Sequence, residues 1–300
     1  MLIFSGNLSI GGMVSFNTYL EKLFNAISKF LGLNLDKQNI KISMERIEEI
    51  DKKEKELIYQ DGNVMCINKL AFNHVSFGYF STNVLSDISF SICKPGLYSF
   101  VGKNGAGKTT LLKLLSKLYE VESGSITVND KNIDSISTST LRNSITFMMK
   151  EPLIISGSLW ENLVVGAKGE IKETDIINIC KKVQLTSLVE KIGGYQSTIN
   201  ADSLSSGEKQ KIGLVRVLLR KSSVIMLDEV TSDLDGNIEN IVISLLEELA
   251  NSAIIINVCH RKKLVESSTY IFVIEENRGI VETGTHQELK EKKGRYNELF

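Results

Sequence analysis

Prolines number only two in 300 residues, Pro95 and Pro152, and no proline-rich or low-complexity linker breaks the chain. Cysteines are few as well. Cys66, Cys93, Cys180 and Cys259 lie far apart with no C-x-x-C pair, which excludes a zinc site of the usual spacing and a disulfide framework; reduced core thiols are expected. Excess charge of either sign is missing. With 35 basic and 36 acidic residues the formal net charge is −1, so there is no electrostatic footprint for nucleic acid, and no nucleic-acid partner is expected. A long apolar run is also missing: the first twenty residues carry no charge, yet only about half are apolar, too few for a clear membrane span. Met1-Leu2-Ile3-Phe4 has no basic leader before it, so a secretory signal is not expected. The remainder, 42% hydrophobic and 24% charged, is ordinary for a globular chain of one large domain or two smaller ones.

What is present is concentrated in a few places. Gly102-Lys103-Asn104-Gly105-Ala106-Gly107-Lys108-Thr109, followed by Thr110, fits G-x-x-x-x-G-K-[ST] between an apolar strand at 97–101 and a run with leucines at helical spacing. At average residue usage the bare pattern arises by chance in roughly one chain of this length in a hundred. Glycines let successive backbone N–H groups turn inward toward phosphate oxygens. Lys108 supplies a mobile positive charge, the Thr109 hydroxyl is a Mg²⁺ ligand, and the helix amino end faces the anion. This predicts ATP or GTP binding. Val224-Ile225-Met226-Leu227 then reads as a strand buried on both faces and ends in Asp228-Glu229. Carboxylates at the carboxyl end of such a strand lie at the crevice of an open α/β sheet. Asp228 is the candidate Mg²⁺ ligand and Glu229 the candidate to orient an attacking water.

Leu204-Ser205-Ser206-Gly207-Glu208-Lys209-Gln210 resembles the signature sequence of ATP-binding cassette (ABC) transporters, usually LSGGQ. The resemblance covers about residues 70–300 and implies an obligate dimer when ATP is bound. In it Ser205, Ser206, Gly207 and Glu208 would contact the ATP held by a second cassette, in a homo- or heterodimer. Further residues follow in family order. Phe77-Gly78-Tyr79 stands where the family stacks an aromatic on adenine, and Ser232-Asp233-Leu234-Asp235 where a loop contacts the facing subunit. The strand 254–258 leads to His260, in the place of the family's switch histidine near the γ-phosphate; His286 is expected to be structural.

The implied fold is α/β: a P-loop NTPase ABC cassette with a mostly parallel core sheet, an antiparallel β portion at 69–95 and a helical subdomain at about 155–220. An N-terminal helical segment would precede it. Residues 1–50 look like a remnant of the last membrane-domain helix and connector of an exporter-type half-transporter. Residues 51–68 would be a charged linker and 69–300 the nucleotide-binding domain. From Leu20 onward Leu23, Phe24, Ile27, Phe30 and Leu31 form one apolar stripe that fits an amphipathic helix or a membrane helix lining a polar cavity. Membrane helices would come from another chain or a missing part, so the chain is a fragment, a truncated reading frame or a half with a separate membrane partner. The implied function is ATP hydrolysis coupled to export, membrane-associated, with the cassette on the cytoplasmic side. Alternatives are a slow or non-hydrolysing half and a soluble ABC ATPase without transport.

Two departures stand out. The family keeps a glutamine at a strand end between the phosphate loop and the signature, but no Gln occurs between Gln60 and Gln184, and the matching run reads Phe147-Met148-Met149-Lys150-Glu151-Pro152. Lysine has three donors and no acceptor, so Lys150 is expected to repel Mg²⁺ or to reach for a phosphate, slowing hydrolysis or altering coupling. Residues 198–203, before the signature, also lack the Gly-Glu pair of exporters.

Overall fold

The computed structural model describes residues 9–52, 65–80 and 82–300. The chain divides into two units, Met1–Leu57 and Ile58–Phe300.

In the first unit a helix runs from Ile10 to Asp51. Ser9 starts it, its hydroxyl accepting from the N–H of Gly12 at 3.0 Å. The charged stretch after residue 35 continues the helix, since it has neither proline nor glycine and sets Lys41 against Glu45 and Lys52 against Glu48 one turn apart. Phe16, Tyr19, Leu23, Phe24, Phe30 and Leu31 are exposed. Among the described residues no helix is long and apolar enough to cross a membrane. Most of the expected linker falls at 53–64, outside the described residues.

The second unit is built on two main sheets. Strands β1 (Leu70–Tyr79), β2 (Thr82–Ile92), β4 (Ser123–Val128) and β5 (Lys131–Asn132) form an antiparallel sheet in the order β2-β1-β4-β5. The antiparallel portion is thus larger than residues 69–95, because β4, which follows the phosphate loop, returns to pair with β1 and β5 pairs with β4 in turn. The main sheet joins β3 (Gly96–Val101), β6 (Ile145–Met148), β9 (Val224–Asp228), β10 (Ile254–Val258), β11 (Tyr270–Glu275) and β12 (Gly279–Gly284) in the order β12-β11-β3-β10-β9-β6. All its pairings are parallel except β11 with β12. A small ribbon, β7 (Gly157–Ser158) with β8 (Thr198–Ile199), ties together the helices 159–164, 173–182, 186–192 and 206–220, which fall where a helical insertion is expected.

Period-two geometry explains the layering. Leu97, Val101, Ile225, Leu227, Ile255, Ile271 and Val273 face one core, with Leu159, Leu163, Ile176, Ile212 and Val242 from helices. The alternate residues Tyr98, Phe100, Val224, Met226, Ile254, Ile256, Phe272 and Ile274 face a second core, against Phe72, Leu111 and Leu112. Apolar residues in continuous runs therefore serve both faces, as a parallel sheet covered on both sides requires. Phe90 and Phe100, with ring centroids 5.1 Å apart, pin the antiparallel sheet to the parallel one. Of the four thiols expected in the core, Cys180 and Cys259 are buried but Cys66 and Cys93 are exposed, a correction that follows from their places outside the strands, Cys66 ahead of β1 and Cys93 just past β2.

Candidate nucleotide site

β3 ends at Val101 and the loop 102–107 leads into the helix Lys108–Leu115, whose N-cap Gly107 has φ +87°. A Cβ there would strike Leu85 Cδ2 and lie 3.1 Å from Val84 O, so glycine is required both by backbone conformation and by space. At Gly102 a Cβ would run into the carbonyl oxygen of Ile274 on the next strand. The loop is therefore pressed against its neighbours while Gly105 faces open space.

A cleft of about 400 Å³ is lined by Tyr79, Val84, Asn104, Gly105, Gly107, Lys108, Thr109, Thr110 and Glu229. Lys108 is buried and its Nζ donates to Gly102 O and Lys103 O, both at 2.8 Å. Burial lowers its pKa, opposed by the charges of Glu229 and Asp228. Tyr79 packs edge-on against Phe77 and Tyr119, and Lys113 Nζ lies 5.8 Å from its ring centroid. Val84 and Tyr119 were not predicted; β2 and the turn after the phosphate-loop helix bring them in, and only the pairing of β2 with β1 could have signalled Val84.

The Thr109 hydroxyl donates to both carboxylate oxygens of Asp228, at 2.9 and 3.0 Å. Burial raises the Asp228 pKa, against the hydrogen bond from Thr109. A buried carboxylate beside a hydroxyl is a pair of hard oxygen donors short of solvation, which fits Mg²⁺, a cation that takes one or two carboxylates and completes its shell with substrate phosphates and water. Among the described residues no cluster of three or more His, Cys, Asp and Glu side chains could hold a metal ion alone.

Glu229 follows with φ +51°, a left-handed conformation uncommon outside glycine, held by its N–H donating to Val258 O at 2.8 Å. β6 pairs with β9 in a register that sets Met148 beside Leu227, and two residues further on Lys150 meets Glu229, Nζ to Oε2 2.6 Å. In this conformation Lys150 is paired with a carboxylate. That hydrogen bond, outweighing partial burial, holds the Glu229 carboxyl below its usual range. His260 follows β10, and its Nε2 lies 3.6 Å from Glu229 Oε1. Burial and the charge of Lys108 lower the His260 pKa, against the charge of Glu229. Glu229 and His260 also line an adjoining cleft of about 290 Å³ with Thr231, Ser232, Cys259 and Arg261.

Ser205, Ser206, Gly207 and Glu208 are not among the residues lining either cleft. They open the helix Ser206–Arg220. Ser205 Oγ accepts from Glu208 N–H at 3.2 Å, and Glu208 Oε2 accepts from Ser205 N–H at 2.8 Å, which makes a capping box. A Cβ on Gly207 would lie 3.2 Å from Asp233 O, so this turn packs on the loop that follows Glu229. Gly102 and Ala106 support the loop from behind, Ala106 being buried. His286 Nδ1 is 2.7 Å from the hydroxyl of buried Tyr296, a structural placement.

Residues 85–232 match the family model of ABC transporters. The whole chain is 32% identical to the lactococcin transport/processing ATP-binding protein LcnC-like of Lactococcus lactis, covering 42% of that protein. It is 29% identical to the transport/processing ATP-binding protein ComA of Streptococcus pneumoniae, again over 42% of it, and 30% identical to the multidrug resistance-like protein MdlB of Buchnera aphidicola, over 53%. The chain therefore spans about two fifths to half the length of these curated relatives. Its fold matches that of a bacterial Atm1-family ABC exporter with a TM-score of 0.78 at 24% identity, over 98% of this chain and 53% of that one.

Proposed function

Because this chain carries the ATP-binding cassette of ABC transporters, we propose that it hydrolyses ATP at the cleft between the phosphate loop and Glu229 and that the turnover drives export. The observation that supports this most is the Thr109–Asp228 pair with Glu229 beside it: a ligand set for a phosphate-bound cation next to a carboxylate facing the same cleft.

The loop amides of 102–110 and Lys108 would bind the β- and γ-phosphates, and Tyr79 would stack on the adenine. Thr109 and Asp228 would hold Mg²⁺, which supplies charge neutralisation on the transferring phosphoryl group. Glu229 would accept a hydrogen bond from the attacking water and align it with the γ-phosphorus; the water oxygen bonds to phosphorus as the bond to the bridging oxygen breaks, the water's proton passes to a phosphate oxygen, and ADP and inorganic phosphate leave. The imidazole of His260 would donate from Nε2 to a γ-phosphate oxygen. Ser205, Ser206 and Gly207 stand at an exposed helix start away from their own cleft, which suits contact with ATP on a second cassette. Membrane helices, from a partner or from the remainder of a longer chain, would receive the motion on the cytoplasmic side by differential affinity for two states.

ATP turnover by the chain beside a Glu229→Gln variant tests this reading. ATP affinity is retained, while the rate falls by about 10²- to 10⁴-fold. Equal rates in the two proteins remove Glu229 from the mechanism. A second reading, a slow or silent half of an asymmetric pair, is favoured by the Lys150–Glu229 bond, which occupies one oxygen of the proposed base.

A further inference from the structure

The same parallel register that aligns β6 with β9 sets a cation against the proposed base. One carboxylate oxygen of Glu229 is 2.6 Å from Lys150 Nζ and the other is 3.6 Å from His260 Nε2. The backbone is fixed as well, by its left-handed φ and the bond to Val258. A carboxylate works as a base when an oxygen is free to accept from water and its charge is not already compensated. An ammonium at 2.6 Å opposes both, because a charge-assisted bond of this length occupies one carboxylate oxygen and offsets part of the charge.

We infer that Lys150 is a positioning residue that restrains Glu229 and keeps turnover low. It acts through the carboxylate and lines neither nucleotide cleft. The inference rests on the ATPase reading above. Glutamine, which the resemblance expects at this place, would offer a neutral amide with an acceptor as well as donors and would leave the Glu229 charge intact. The Lys150 side chain is half exposed, and pairs of that kind contribute little to folding. Removing the ammonium should therefore be read in turnover, with the fold retained.

The test uses the full chain with Lys150→Gln, Lys150→Met and Lys150→Arg, following steady-state ATP hydrolysis and, by calorimetry, the affinity for Mg-ADP. Lys150→Gln and Lys150→Met are expected to raise kcat roughly five- to tenfold, with KM and ADP affinity within about twofold. Lys150→Arg keeps the charge and retains the low rate. A wild-type chain that is silent and becomes active in the Gln and Met variants supports the inference equally. Unchanged or lower kcat in both, with ADP still bound, overturns it, as does a rise in Lys150→Arg equal to that in Lys150→Met. Failure of every protein to bind ADP overturns the nucleotide-site reading itself, and the role of Lys150 falls with it.

Discussion

Thr109 and Asp228, 119 positions apart in sequence, are joined by a hydroxyl that reaches both oxygens of one buried carboxylate. The pair ties the first turn of the phosphate-loop helix to the end of β9, so it organises the site before any ligand enters. Thr109→Val keeps the shape and removes the donor from a group that burial already disfavours. Urea unfolding at pH 7 is expected to show a loss of about 1–3 kcal/mol, with Thr109→Ser close to the parent protein.

Glu208 supplies a pH-dependent contribution. Burial would raise its carboxyl, but bonds from the Ser205 N–H and hydroxyl and from Lys191 outweigh it and hold the pKa below the usual value. A depressed folded-state pKa contributes stability that is complete above the ordinary carboxylate value and is lost as pH falls through the folded one. Glu208→Ala is therefore expected to cost about 1 kcal/mol at neutral pH. Denaturation midpoints recorded down the pH scale should begin to converge for the two proteins below the ordinary glutamate value of about 4.3; a constant gap would remove the charge from the account.

Gly107 and Gly105 share φ +87° and differ in surroundings. Gly105→Ala meets open space and should cost only the conformational term of about 1–2 kcal/mol. Gly107→Ala adds the collision with Leu85 and Val84 O, by about 1–3 kcal/mol more. Comparing the two melting curves checks the difference, and equal losses would mean that β2 yields to the new methyl group.

Thiol labelling separates the cysteines by burial. Cys66 and Cys93 are exposed and should alkylate in the native protein. Burial pushes Cys180 up to about 11 and Cys259 up to about 12, so both should react only after unfolding. Mass spectrometry after native labelling is expected to find two modified residues; native modification of Cys259 would contradict its placement behind the site.

Much of this protein was legible because its signals are local. A glycine-rich turn between an apolar run and a leucine-spaced helix can be read in a dozen residues, and Val224–Leu227 announces a strand covered on both faces. The S-x-x-E at Ser205 and Glu208 is a local signal too, although its use as a cap emerges only when the helix start is seen. Where the helix Ile10–Asp51 gives way to a connector is not legible in the sequence, because charge density is common to linkers and to exposed helices alike.

By itself the sequence determined the α/β layering and the phosphate loop, since both rest on short-range periodicity and on backbone freedom at particular glycines. Only the tertiary structure decided that Lys150 pairs with Glu229, that Thr109 holds Asp228, and that Cys66 and Cys93 face outward. Those outcomes depend on which strands become neighbours and in what register. A register is the joint result of two distant segments packing on the same core, so neither segment carries it alone.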